Sequence, residues 1–96
     1  VNLRYLAKAR DDLDEIYFHI AQENEAAAGR LVNKLESAVQ RLGNFPRSAP
    51  DRSELGEGLR GLTTGGYVIF YRVEPGTVTV LRVIHAARDL QSIDLT

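Results

Sequence analysis

Tyr67-Val68-Ile69-Phe70-Tyr71-Arg72-Val73, set between Gly65-Gly66 and Glu74-Pro75-Gly76, decides how this chain folds. Aromatic or β-branched side chains stand at every position but Arg72, so the stretch reads as a strand apolar on both faces. A strand of that kind takes a central place in a sheet, with one neighbour on each side. The glycine-containing breaks put those neighbours at Leu59 to Thr64 and at Val78 to His85. The expectation is a three-stranded antiparallel meander centred on Tyr67 to Val73.

The residues before it change period. Val1, Leu3 and Tyr5 alternate with Asn2 and Arg4, which fits a short strand with one buried face. From about Lys8 to Glu23, Leu13, Ile16, Tyr17 and Ile20 recur at helical spacing, with acids on the other side. Asp11 and Asp12 are placed near the start of this helix, where the positive end of its dipole favours them. Asn24 is a favoured N-cap, and Ala28, Leu31, Leu35, Ala38, Val39 and Leu42 form the stripe of a second helix. Gly43 is expected to close it in a left-handed conformation. The two helices make an antiparallel hairpin, with Ala26, Ala27 and Ala28 permitting close approach. From Phe45 to Gly58 there is no period; Pro46 stops the helix and Phe45 is expected to plug the edge of the core. Ala86 to Thr96 reads as a tail.

The fold class is therefore α+β in the order β-α-α-β-β-β. An antiparallel sheet, made of the meander plus the N-terminal strand, packs against the helical hairpin. Ninety-six residues suit one domain, 1–96, with a tail from about 86 to 96. A chain of this size buries only ~60–65% of its unfolded surface, so a permanent partner would suit it.

Composition excludes several classes of function. Without cysteine there are no disulfides and no thiolate metal sites, which fits a cytoplasmic protein. No apolar run spans a bilayer, and Val1 to Leu6 has neither the apolar core nor the cleavage site of a leader. A net charge of −1 argues against a general nucleic-acid binder. The charges are unevenly spread. Six acids and one base, Arg10, lie between Ala9 and Glu25, whereas Arg60, Arg72, Arg82 and Arg88 face only Glu74 between Leu59 and Arg88. Two histidines far apart make a metal site unexpected, and the glycines at 56, 58, 61, 65 and 66 form no phosphate-cradling loop opening a helix. No cofactor is expected.

Four stretches in this order resemble the RelE/ParE superfamily of bacterial toxins from type II toxin–antitoxin pairs. Ala9-Arg10-Asp11-Asp12-Leu13-Asp14-Glu15-Ile16 is similar to the family's first-helix pattern, and Leu42 to Pro46 to its exit from the helices. Leu59-Arg60 with Tyr67 to Val73 resembles its central hairpin, and His85-Ala86-Ala87-Arg88-Asp89 resembles the closing His-x-x-Arg-Asp signature of the ParE branch. Leu6-Ala7 departs from the Ser/Thr cap, often with proline, that many members carry there.

The superfamily holds two activities. RelE-like members cleave mRNA on the ribosome, which requires a base for the 2′-hydroxyl, cations around the phosphate and a donor to the leaving oxygen. This chain is poor in those parts. Its lysines, Lys8 and Lys34, belong to the helical half; Val68 stands where nuclease members commonly carry a strand arginine, and Asp94 where a late tyrosine is expected. His85 is the one candidate acid or base. The ParE reading asks for no covalent chemistry: members of that branch inhibit DNA gyrase by stabilising its cleaved-DNA state. The resemblance thus implies a non-enzymatic gyrase inhibitor, with Arg60, Arg82, His85, Arg88 and Asp89 in the toxic surface. The alternative is a ribosome-dependent mRNA endonuclease. The resemblance also implies a ParD-like antitoxin whose flexible segment folds into a groove between hairpin and sheet, lined by Leu13, Ile16, Tyr17, Ile20, Leu31, Leu35 and Tyr71. DNA would be met only through the antitoxin or gyrase.

Overall fold

Gly65 and Gly66 have φ of 60° and 84°, so the first turn of the meander is a two-residue hairpin with both central residues left-handed. The second turn places Gly76 at φ 70° after Pro75, the order a type II turn uses. Between these turns the central strand is as read from the sequence. The computed structural model describes residues 2–92 and 95; the expected strand start at Val1, the Asp94 position and the last residue of the tail lie outside them. In chain order the elements are β1 (Asn2–Tyr5), α1 (Ala7–Ala21), α2 (Glu25–Asn44), β2 (Leu59–Thr64), β3 (Tyr67–Glu74) and β4 (Thr77–His85), followed by a 3-10 turn at Leu90–Ser92.

The sheet order is β1-β4-β3-β2. The meander is antiparallel, as expected, whereas β1 lies parallel to β4 with Leu3 opposite Val78, so the sheet as a whole is mixed. The direction is set in the loop from 45 to 58. Asp51 forms an antiparallel bridge with Arg60, Arg52 N–H donates to Leu59 O at 2.8 Å, and Gly61 N–H donates to Pro50 O at 3.1 Å. This added reversal carries no apolar period, so the sequence pattern does not reveal it. It also shields the outer edge of β2 from pairing with another chain.

Helix α2 begins as anticipated: Asn24 Oδ1 accepts from Ala27 N–H at 3.0 Å. Its end differs. Gly43 is the penultimate helical residue and not a left-handed cap, and a Cβ built on it would stand 3.2 Å from Leu3 Cδ2. The glycine there admits β1 against the helix. Phe45 does not plug the core; it is 67% exposed, because the helix runs one residue further than its cap was read and turns the ring outward. Helix α1 begins at Ala7 with Leu6 as its cap, so Asp11 and Asp12 fall in its second turn and not at its dipole end.

Both faces of the sheet are covered. Under the hairpin, Ala9, Leu13, Ile16, Leu35, Ala38, Val39 and Leu42 pack on Ile69, Tyr71, Val78, Val80 and Val83. On the opposite face Val68, Phe70, Leu81 and Ile84 form a second core with Leu59 and Leu95, flanked by Leu6, Leu55 and Leu90. Leu90 and Leu95 of the tail thus rest on the sheet, and this accounts for a central strand that is apolar on both faces. A bulge in β4 sets Phe70 opposite Arg82 and Tyr71 opposite Val80, leaving Leu81 as the extra residue.

Candidate functional site

Strand β1 ends before β4 does, which leaves an edge of β4 without a strand partner. Leu6 N–H still reaches Val80 O at 3.0 Å, and beyond it Val83 N–H donates to Asp12 Oδ2 at 2.9 Å. The same carboxylate takes both arms of Arg82, with Nε donating to Oδ2 at 2.7 Å and Nη2 to Oδ1 at 2.9 Å. Two parallel charge-assisted bonds of this kind fix orientation as well as charge. Asp12 therefore completes the sheet edge from a helix, and Arg82, expected on the toxic surface, is held in this clamp with 16% of its side chain exposed. The signal for the clamp was a charged residue one turn before Ile16 on the inward face of α1.

Just past the clamp, α1 and the ends of β3 and β4 enclose an open groove of about 380 Å³. Its walls include His19 and Glu15 from the helix and Tyr67, His85 and Arg88 from the sheet side. His85 and Arg88 are exposed here, and the expected pair is brought together. The His85 ring meets Tyr67 edge-on at 5.1 Å, and its Nδ1 accepts from Ala87 N–H at 3.1 Å. With Nδ1 accepting, the proton of neutral His85 sits on Nε2. Asp89 caps the 3-10 turn through Gln91 N–H at 3.1 Å.

Arg60 is not part of this assembly. Arg60 faces Tyr71 in the register, whereas His85 faces Tyr67, so the two lie at opposite ends of the meander. Its Nη1 donates to Ala49 O at 2.8 Å and to Arg47 O at 3.3 Å, holding the loop onto β2. Beside it, hydrogen bonds from Ser53 hold the Asp51 carboxyl below its usual value, and Arg52 does the same for Glu54.

Residues expected to line a groove between hairpin and sheet mostly fill it. Leu35 and Tyr71 are 1% and 0% exposed, and Leu13 and Ile16 are buried, whereas Tyr17, Ile20 and Leu31 are half-buried at its margins. The Tyr71 hydroxyl donates to Pro46 O at 2.8 Å, tying the loop to the core. Burial raises the Tyr71 phenol above its ordinary value, partly offset by the Ala49 backbone and the Arg60 charge; burial also raises that of Tyr5. A raised value means the folded chain holds the proton more tightly. The resulting stability is complete below pH 10, the unfolded value, and is lost as pH rises through the folded one. Urea melts across alkaline pH should therefore show a falling limb that Tyr71→Phe makes shallower.

Among the described residues, no group of three or more His, Asp or Glu side chains is placed to hold a metal ion, and no helix is long and apolar enough to cross a membrane.

Comparison with known proteins agrees with this geometry. Residues 3–90 match the family model described as the ParE toxin of the type II toxin–antitoxin system parDE. Toxin ParE3 of Caulobacter vibrioides is 32% identical over 80 residues, spanning 82% of this chain and 80% of the relative. A solved structure of the chromosomal ParDE system from P. aeruginosa superposes with a TM-score of 0.77 at 25% identity, covering 88% of this chain and 95% of that one. The RelBE2 toxin–antitoxin complex from Mycobacterium tuberculosis gives 0.66 at 26% identity, with the same coverage of 88% and 95%. The matched span takes in the helical hairpin, the meander and the His85–Asp89 turn, and the chain belongs to the ParE toxin family of type II toxin–antitoxin systems.

Proposed function

We propose that this ParE toxin acts without covalent chemistry, by binding DNA gyrase, and that a ParD-like antitoxin neutralises it. The observation that carries this reading is the state of the sheet's cations. Arg60 is spent on two loop carbonyls, Arg82 on Asp12, and Arg72 donates to Glu57 O at 3.2 Å. Val68, where a ribonuclease of this superfamily would carry a cation, is buried in the apolar second core at 3% exposure. Cleaving RNA needs charges gathered at a phosphate with a base beside them, and the described sheet offers an apolar face under a folded tail. Binding by surface complementarity asks for none of this. His85, at the exposed end of β4, with Arg88 and Asp89 in the turn that follows, are the residues assigned to target contact.

Partnership with an antitoxin draws support from the two superposed structures, a chromosomal ParDE system and a RelBE2 toxin–antitoxin complex. Purified toxin assayed with gyrase and supercoilable plasmid, beside ribosomes programmed with mRNA, tests the target. Inhibition of supercoiling is expected, reduced by about tenfold or more in Arg88→Ala, with no mRNA cleavage. Cleavage of mRNA that disappears in His85→Ala, with gyrase unaffected, would replace this reading with the endonuclease one.

A further inference from the structure

Ala86 to Asp89 join β4 to the 3-10 turn, and all of them are exposed. A segment with so little apolar burial depends on its hydrogen bonds for a fixed path. Ala86 N–H donates to Gly66 O at 2.9 Å, Ala87 N–H to His85 Nδ1 at 3.1 Å and Arg88 N–H to His85 O at 3.1 Å. Two of these bonds end on His85. A side chain that accepts from the backbone two residues on is the arrangement by which Asn and Asp close a turn. Asp89 does the same with Gln91 N–H.

The His85 ring is itself held. Tyr67 stands opposite His85 in the β3–β4 register, with the ring centroids 5.1 Å apart and the planes at 79°. Edge-to-face contact of this kind favours one orientation of the imidazole. Tyr67 follows the Gly65–Gly66 turn, where a Cβ on Gly65 would come within 3.0 Å of Leu31 Cδ1, so that turn sits close on α2. Beyond the segment, Leu90 rests against the second core. Arg88 is carried between two anchored points.

We infer that His85 is a positioning residue: its Nδ1 closes the turn that presents the Arg88 guanidinium to the target, and Tyr67 orients the ring. The inference rests on the reading that this turn contacts gyrase. It divides the residues assigned there, with Arg88 meeting the target and His85 placing it. Arginine loses side-chain freedom when it binds, and a backbone already ordered spares the further cost of fixing the turn.

Two substitutions separate the ring nitrogens. The amide oxygen of Asn reaches the place of Nδ1 and can close the same turn, whereas Gln carries its amide farther out, toward the place of Nε2. His85→Ala, His85→Asn and His85→Gln, each in the full chain, are assayed for inhibition of gyrase supercoiling. Melting temperature and hydrogen exchange of the Ala87 amide are recorded for each. His85 is exposed, so all three should melt close to the parent. His85→Asn should keep Ala87 protected and inhibit as the parent does. His85→Ala and His85→Gln should lose that protection and inhibit about tenfold less well, the upper worth of one hydrogen bond. Full inhibition by His85→Gln with loss in His85→Asn would overturn the placement and put the outward nitrogen on the target. Parental inhibition by all three variants, or equal loss in all three, would overturn it too, with the gyrase reading left standing. A parent chain that leaves supercoiling untouched would overturn both.

Discussion

Asp12→Ala should lower the unfolding free energy by about 3–5 kcal/mol, the cost of removing one partner from a buried ion pair. A domain is commonly stable by only about 5–15 kcal/mol, so this single change would remove a large share of the chain's stability. The size follows from what Asp12 does. It binds Arg82 through two bonds and also accepts the Val83 N–H, so its loss removes both charge-assisted bonds and leaves a backbone donor without its acceptor. At 10% and 16% side-chain exposure, water cannot fully replace it. Equilibrium denaturation in urea measures the effect. In a double-mutant cycle, Asp12→Ala with Arg82→Ala should cost clearly less than the sum of the single changes, because both changes remove the same pair of bonds. Loss of toxicity in Arg82→Ala is then a loss of fold, which circular dichroism separates from loss of target contact.

Phe70→Ala should cost a similar amount, about 3–5 kcal/mol, through the second core. The Phe70 ring is fully buried, pairs across from Gly61 in β2, and carries the Arg52 guanidinium at 5.9 Å from its centre. A Cβ on Gly61 would stand only 3.3 Å from Phe70 Cε1, so the ring occupies the space the glycine leaves. Removing it opens a cavity in the second core. The tail at Leu90 and Leu95 loses the surface it rests on. Limited proteolysis should therefore cut Phe70→Ala within the tail under conditions where the parent resists, in addition to the lower midpoint in urea.

These two residues mark what could be read from the sequence. Phe70 belongs to a stretch whose composition alone placed it at the centre of a meander, because a strand apolar on both faces leaves few alternatives. The same holds for the helices, whose apolar stripes repeat over several turns. Asp12 was legible only as a charge near a helix start. Its role depends on where β1 stops along β4, a matter of register between segments far apart in sequence, and no local pattern encodes that. Arg60 and Arg82 read as surface cations for the same reason: carbonyls and a carboxylate brought by other segments absorb them. His85 and Arg88 could be assigned to one place because they lie in one turn.

The parallel pairing of β1 with β4 also bears on the order in which the molecule assembles. The helix hairpin and the two strand turns join neighbours in the chain and can form early, whereas Leu3 must find Val78 across nearly the whole sequence. Closing so long a loop costs entropy that its few contacts return only once the rest is in place. By this reasoning the first strand should be late to dock. Until then the edge of β4 stands bare, so this protein is most open to mispairing with another chain just before folding is complete.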